Sequence, residues 1–243
     1  MTQPPVAAGD TLVTSQARYT LVKRLGSGMA GTVHEATDQQ GRRHAIKILT
    51  AQPTDFQARG FRNEVMFGYR KLHPGIITVE DDGSVGDVPF FVMPFYWTTL
   101  RQVIGPGLSP IRALRYFGQA RAAIGAAHRA GISHRDVKPE NLLIGSDDEL
   151  VVADWGTADF DAPARHANLP PEVRARLAGR GTHGTAADIY ALGLLLIELF
   201  TGVPFDADAP RAIGEVAPGF AYLDDLAATM LTDRNRIAYL VVG

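Results

Sequence analysis

The sequence predicts an α+β chain of two lobes, a small antiparallel-sheet lobe carrying one helix followed by a mostly helical lobe. Three observations predict it. From Tyr19 to Thr50, short alternating apolar runs are separated by glycine-rich turns, the pattern of antiparallel strands. After Pro94 the apolar spacing becomes helical. The 243 residues, 46% of them hydrophobic and 21% charged, are enough to bury a full core. Residues 1–17, rich in proline, alanine, glycine and small polar residues, are expected to be a flexible tail; residues 18–95 form the first lobe and 96–243 the second.

The elements follow in order. Tyr19–Val22, Thr32–Ala36 and His44–Leu49 form a meander, turned at the glycine loop after Leu25 and at Gly41. A helix over Asp55–Leu72 presents Phe56, Phe61, Val65 and Leu72 and is stopped by His73-Pro74-Gly75. Ile76–Glu80 and Pro89–Met93 are the next strand candidates. Ser109-Pro110 opens a long helix with Ile111, Leu114, Phe117, Ile124 and Ala127 on one face, closed by Gly131. Short strands at Leu142–Ile144 and Leu150–Ala153 flank a polar run. A nearly all-apolar helix runs from Ala187 to Thr201, with Gly202 as its stop.

Composition removes several classes of function. A formal net charge of -2 supplies no basic field for nucleic acid or anionic lipid. With no cysteine, disulfides, thiolate metal sites and cysteine nucleophiles are excluded. The first residues carry neither a basic start nor a long apolar core, so a cytoplasmic location is the expectation. The most apolar stretch, Ile189–Phe200, falls short of the roughly 20 residues of a membrane span and is read as a buried helix. Oligomeric state is not legible.

The chemistry is concentrated in three places. The run His134-Arg135-Asp136-Val137-Lys138-Pro139-Glu140-Asn141, followed by Asp154-Trp155-Gly156, holds what phosphoryl transfer requires: a carboxylate for the accepting hydroxyl, a cation for the phosphate and oxygen ligands for Mg²⁺. Asp136 is the candidate proton acceptor, Lys138 the γ-phosphate cation, and Asn141 and Asp154 the metal ligands. Gly26-Ser27-Gly28-Met29-Ala30-Gly31-Thr32-Val33 lies between two strands, where a glycine loop folds over phosphates and its N–H groups approach them closely. Lys47 alternates with apolar neighbours on its strand; it suits the α- and β-phosphates, and Glu64 on the following helix is the carboxylate that would orient it. The chain has only four lysines, Lys23, Lys47, Lys71 and Lys138, and two of them fall inside these motifs.

These motifs, in this order, resemble the bacterial-style, eukaryotic-like serine/threonine protein kinases over roughly residues 18–240, with Trp155 where that family usually carries phenylalanine. The resemblance implies the two-lobed protein-kinase-like fold, ATP and Mg²⁺ as cofactors and transfer to Ser or Thr hydroxyls of protein substrates. It implies a nucleotide site lined by Gly26, Ser27, Gly28, Gly31, Val33, Ala45, Lys47, Met93, Pro94 and Tyr96, with Met93 as gatekeeper and the Tyr96 N–H as the hinge donor. Pro170-Pro171-Glu172 looks like the family's Ala-Pro-Glu, Arg236 matches the arginine that pairs with that glutamate, and Asp188 matches the aspartate that braces the catalytic loop.

The chain also departs from the family. Between Thr157 and Glu172 the only hydroxyl is that of Thr157, which speaks against an activation-loop phosphate switch and suggests Asp159 or Asp161 as a fixed partner for Arg135. A second alignment takes Gly181-Thr182 as the displaced Gly-Thr element. Phe205–Ala221 is too short for the extra helices many relatives use to dock substrates. Gly68, one turn after Glu64, weakens its helix by about 1 kcal/mol relative to alanine, for close packing or for mobility. A small-molecule kinase of related fold and a nucleotide-binding pseudokinase scaffold are the competing functions.

Overall fold

The computed structural model describes residues 6–28, 30–105, 108–158, 184–206 and 211–232. The readings placed on Met29, Asp159, Asp161, Pro170-Pro171-Glu172, Gly181-Thr182 and Arg236 lie outside them. The described residues fall into two compact units, one up to Lys71 together with Ile76–Tyr96, the other Leu72–Gly75 together with those from Trp97 onward.

The first unit is a six-stranded antiparallel sheet in the order β1-β2-β3-β4-β6-β5, from β1 (Thr11–Val13), β2 (Arg18–Gly28), β3 (Gly31–Asp38), β4 (Arg43–Leu49), β5 (Asp81–Val85) and β6 (Val88–Pro94). One face buries Leu12, Tyr19, Leu21, Ala36, Ile46, Ile48, Phe90 and Val92 together. On the other face Phe61 of helix α1 (Asp55–Gly68) meets Phe91, ring centroids 5.1 Å apart. The β3–β4 turn is set by Asp38, whose carboxylate accepts the backbone N–H groups of Gln40 and Arg42, both at 2.9 Å, while Gly41 takes the left-handed φ of 75°. Burial alone would raise the Asp38 carboxyl; these bonds, with those from His44 and the Arg42 guanidinium, hold it far below the usual range.

Three expectations are corrected here. The tail expected over residues 1–17 contains β1, whose Leu12 sits opposite Tyr19 and is 2% exposed. A turn hides it in the sequence: the Thr14 hydroxyl accepts the N–H groups of Gln16 and Ala17, folding a three-residue strand back onto β2. Ile76–Glu80 carries a single bridge at Ile76 and buries Ile76, Ile77 and Val79 while Glu80 is exposed, and the strand is the polar Asp81–Val85 that follows. Its pairing with β6 comes from the turn at Gly86, φ 56°, which apolar alternation does not reveal. Helix α1 stops at Gly68, four residues before the expected Leu72.

The second unit contains a three-stranded sheet, β7 (Thr98–Thr99), β8 (Leu142–Ile144) and β9 (Leu150–Val152), with helices α2 (Leu100–Val103), α3 (Pro110–Arg129), α4 (Gly184–Thr201), α5 (Ile213–Val216) and α6 (Tyr222–Leu231). Helix α3 starts as expected, with the Ser109 hydroxyl accepting Arg112 N–H at 3.3 Å and Pro110 in the first turn. Its buried face shares Phe117, Ile124 and Ala127 with the expected one and adds Ala113, Tyr116, Ala120 and Ala123, while the expected Ile111 is 77% exposed and Leu114 is exposed as well. Small alanines, easily passed over beside larger residues, mark the face that lets α4 approach. Arg112 and Tyr116 of α3 both bond the Asp148 carboxylate in the β8–β9 turn. The Arg112 guanidinium holds that carboxyl below its usual range; burial and the Asp148 bond push the Tyr116 hydroxyl up to about 12.

Helix α4 extends three residues N-terminal of the expected Ala187, through small residues that tolerate helix. By length and composition alone it is sufficient to cross a membrane. Here it is a core helix, 61% buried within the fold, packed on α3 and α6 and carrying the buried acids Asp188 and Glu198. Gly202 ends it, φ 71°, with its N–H given to Glu198 O at 2.9 Å. Within Phe205–Ala221, the described residues form the single turn of α5, whose Ile213 and Gly214 N–H groups are received by the Asp224 carboxylate, and another turn at Pro218–Phe220.

Gly68 has a packing reason. A Cβ there would stand 2.5 Å from Val79 Cγ2 and 2.9 Å from the Val79 backbone nitrogen. Gly68→Ala should therefore destabilise by about 1–3 kcal/mol, overriding the helix-propensity gain. Urea denaturation checks this, and an unchanged or higher midpoint would refute the packing explanation.

Candidate active site

In the first unit, register brings the phosphate-binding candidates together. Gly26 lies opposite Val33, Ser27 opposite Thr32 and Gly28 opposite Gly31, so the loop is the tip of the β2–β3 hairpin. Val33 is opposite Lys47 and Ala45 opposite Met93, which places these four side chains on one face of the sheet. The glycines divide by role. Around Gly26 and Gly28 the space for a Cβ is open, whereas a Cβ on Gly31, φ 155°, would fall 1.9 Å from Ile48 O. Gly31 is demanded by the fold itself; Gly26 and Gly28 are not.

Lys47 Nζ donates to Glu64 Oε2 at 2.6 Å, with the side chains 12% and 5% exposed. So dry a pair is costly to break, since removing either partner strands the other charge. At the end of β6, Pro94 is opposite His44, and the next residue, Phe95, lies under the Arg43 guanidinium, 3.8 Å from the ring centroid. Tyr96 follows directly in the chain. Glu35 accepts the Arg43 Nε–H at 2.8 Å, so the cation on Phe95 is itself tethered.

In the second unit the loop from His134 to Asn141 is suspended from one carboxylate. Asp188, wholly buried on α4, accepts the backbone N–H of His134 at 2.8 Å and of Arg135 at 2.6 Å, and is 2.7 Å from His128 Nε2 on α3. Those bonds allow Arg135 its left-handed φ of 68°. His134, also wholly buried, accepts Asp136 N–H at Nδ1 and lies 2.9 Å from Ala153 O at Nε2, a pattern that fits the neutral Nε2–H tautomer. Its backbone carbonyl accepts the Thr157 hydroxyl at 2.9 Å. Among the described residues, Arg135 Nε is buried without a hydrogen-bond partner.

On this frame the reactive groups meet. Lys138 Nζ is 2.7 Å from Asp136 Oδ2, and Asn141 Nδ2 donates to the same oxygen at 3.0 Å and to Asp136 O at 2.8 Å. With its amide N–H groups turned to Asp136, Asn141 keeps its carbonyl oxygen for other use. Asn141 O also accepts Ala153 N–H at 2.8 Å, joining the loop to the residue before Asp154. Asp154 has a left-handed backbone, φ 62° and ψ 61°. Among the described residues no three His, Cys, Asp or Glu side chains gather into a metal cluster. Two oxygen donors on adjoining segments suit Mg²⁺, which binds through one or two protein oxygens with waters and substrate phosphates completing its shell.

Two supporting groups escaped the sequence reading. Arg101 on α2 bonds both Glu140, at 2.7 Å, and the buried Glu198 of α4. Burial would raise the Glu140 carboxyl, but the Arg101 bond holds it below its usual range. His128, the second partner of Asp188, lies six residues before His134; a histidine on the inward face of α3 was the available signal.

A family model described as the protein kinase domain matches residues 19–216. The serine/threonine-protein kinase PrkC of Bacillus subtilis (strain 168) is 35% identical over 216 residues, covering 81% of this chain and 32% of its own length. PknB, a serine/threonine-protein kinase of Mycolicibacterium smegmatis, is 34% identical over 219 residues, covering 81% and 34% respectively. The probable serine/threonine-protein kinase pknA2 of Bifidobacterium longum is 32% identical over 216 residues, covering 80% and 28%. The chain thus spans about a third of the length of the curated relatives it matches.

The division among the glycines is testable. Gly28→Ala should leave stability within about 0.5 kcal/mol of the parent and weaken nucleotide binding, while Gly31→Ala should unfold at clearly lower denaturant. Urea titration with calorimetric nucleotide binding reads both. Equal destabilisation by the two substitutions would contradict it.

Proposed function

Because the chain belongs to the protein kinase family, we propose that it transfers the terminal phosphoryl group of ATP to Ser or Thr hydroxyls of protein substrates. The observation that carries this reading is the Asp136 carboxylate held by Lys138 and Asn141 on a loop that buried Asp188 braces. A carboxylate so fixed suits acceptance of the substrate hydroxyl's proton as the oxygen attacks phosphorus and the bond to the β-phosphate oxygen breaks, releasing ADP. Lys138, beside that carboxylate, suits the γ-phosphate oxygens. In the first unit, Lys47, oriented by Glu64, suits the α- and β-phosphates, with the open sites at Gly26 and Gly28 leaving room for phosphate oxygens near backbone N–H groups. Mg²⁺, held by Asn141 and Asp154, would neutralise phosphate charge and align the reacting oxygens. Met93 and the Tyr96 N–H are the adenine contacts in this reading, and an ATP donor implies a cytoplasmic location.

The proposed activity needs no phosphate on the segment after Gly156. The sequence offers no Ser, Thr or Tyr between Thr157 and Glu172. The Thr157 hydroxyl is engaged with His134 O.

Two outcomes are expected. Asp136→Ala or Lys47→Met should lower phosphate transfer from radiolabelled ATP, the former by on the order of 10² to 10⁴ in rate; a fully active double variant would sink the assignment. Phosphatase-treated protein should retain its activity in the same assay, and loss of activity would restore a phosphate switch.

A further inference from the structure

The sheet face that carries Val33, Ala45, Lys47 and Met93 continues one row further. Side chains alternate along a strand, so Glu35 joins Val33 on β3 and Arg43 joins Ala45 and Lys47 on β4, with Glu35 opposite Ala45 and Thr37 opposite Arg43. At this end the ladder between β4 and β6 closes on the pair His44 and Pro94, and proline has no N–H to give. Phe95 and Tyr96 follow past that last rung.

What reaches Phe95 is the Arg43 side chain. Its guanidinium carbon lies 3.8 Å from the ring centroid, well inside the roughly 6 Å over which a cation and an aromatic face attract. The guanidinium is itself tethered: Nε donates to Glu35 Oε1 at 2.8 Å, and the Glu35 side chain is only 8% exposed. So dry a carboxylate keeps its cation, because separation would leave a buried charge uncompensated. Lys23 stands further off, its Nζ 3.7 Å from the other Glu35 oxygen on a mostly exposed side chain. A planar guanidinium can turn an edge to the carboxylate and a face to the ring at once, which an ammonium cannot. The order of contacts is therefore Glu35, Arg43, Phe95, and Tyr96 is the next residue. Holding Phe95 narrows the torsions open to its neighbour, so that less ordering is left for a ligand to impose.

We propose that Arg43 and Phe95 are positioning residues for recognition of the base: the guanidinium, tethered by Glu35, lies on the Phe95 ring and fixes where the Tyr96 N–H is offered to adenine. The proposal rests on the reading of that N–H as an adenine donor. Its consequence is selective, touching the base and leaving the phosphates alone.

The test is calorimetric titration of the full chain with adenosine and, separately, with inorganic tripolyphosphate and Mg²⁺. The proteins are the parent, Phe95→Leu, Arg43→Lys, their double variant, and Arg42→Gln as a control. Phe95→Leu keeps apolar bulk and leaves Glu35 its partner, and Arg43→Lys keeps the charge but loses the flat fork. Each should weaken adenosine binding by on the order of 3- to 10-fold, as loss of a cation–aromatic contact does. Because both act through one contact, the double variant should fall within about twofold of the weaker single. Tripolyphosphate affinity should stay within about twofold of the parent in every variant, which also reports that the unit is folded. Arg42→Gln, whose arginine pairs with Asp38 in the β3–β4 turn, should change neither affinity. Adenosine affinity within about twofold of the parent in both singles, additive losses in the double, or a parallel loss of tripolyphosphate affinity would overturn the proposal. A parent that binds tripolyphosphate but not adenosine would remove the adenine reading of Tyr96, and the proposal with it.

Discussion

The second unit depends on one buried carboxylate. Asp188 has no exposed surface, and an ion taken so far from water persists only if its oxygens are fully occupied. They are met by two consecutive backbone N–H groups of the loop from His134 to Asn141 and by His128. The need to satisfy Asp188 thereby dictates the path of the chain at His134 and Arg135. Because α4 is a core helix, the loop is referenced to the packed interior of the unit. The Asp136 carboxylate inherits its position from an acid that itself has no exposed surface.

Similar logic recurs at lower stakes. Glu198, also on α4, is reached by Arg101, which carries Glu140 on its other side, so the same core helix steadies the loop's far end. In the first unit the dry Lys47–Glu64 pair joins β4 to α1. Charges at these positions are worth less as stabilisers than as devices that make one arrangement of chain preferable to its neighbours.

Candidate chemical groups were easier to name from the sequence than the architecture that supports them. His134–Asn141, Asp154, Lys47 and Glu64 could be named because phosphoryl transfer restricts which residue types serve, and their order along the chain restricts it further. Strand β1 was missed because three residues before a hydroxyl-capped turn carry no periodicity. Strand β5 was missed because its residues are acid and glycine, paired through a turn and not through an apolar stripe. On α3 the expected face is buried at Phe117, Ile124 and Ala127 but solvated at Ile111 and Leu114, where the alanines Ala113 and Ala120 do the packing instead. Arg101 and His128 were missed for another reason. Their roles exist only through partners 97 and 60 residues away, a relation that spacing cannot express.

The uneven surroundings of the loop glycines bear on how such a chain changes over generations. Gly31 is held by the conflict a Cβ would have with the backbone of Ile48, whereas a Cβ at Gly26 or Gly28 would meet nothing within 4 Å among the described residues. A descendant that abandoned its reaction but kept its fold would still be obliged to retain the first and would be at liberty to lose the other two. Under the proposed function, the glycines of this hairpin therefore answer two separate demands, one from folding and one from use, three and five residues apart.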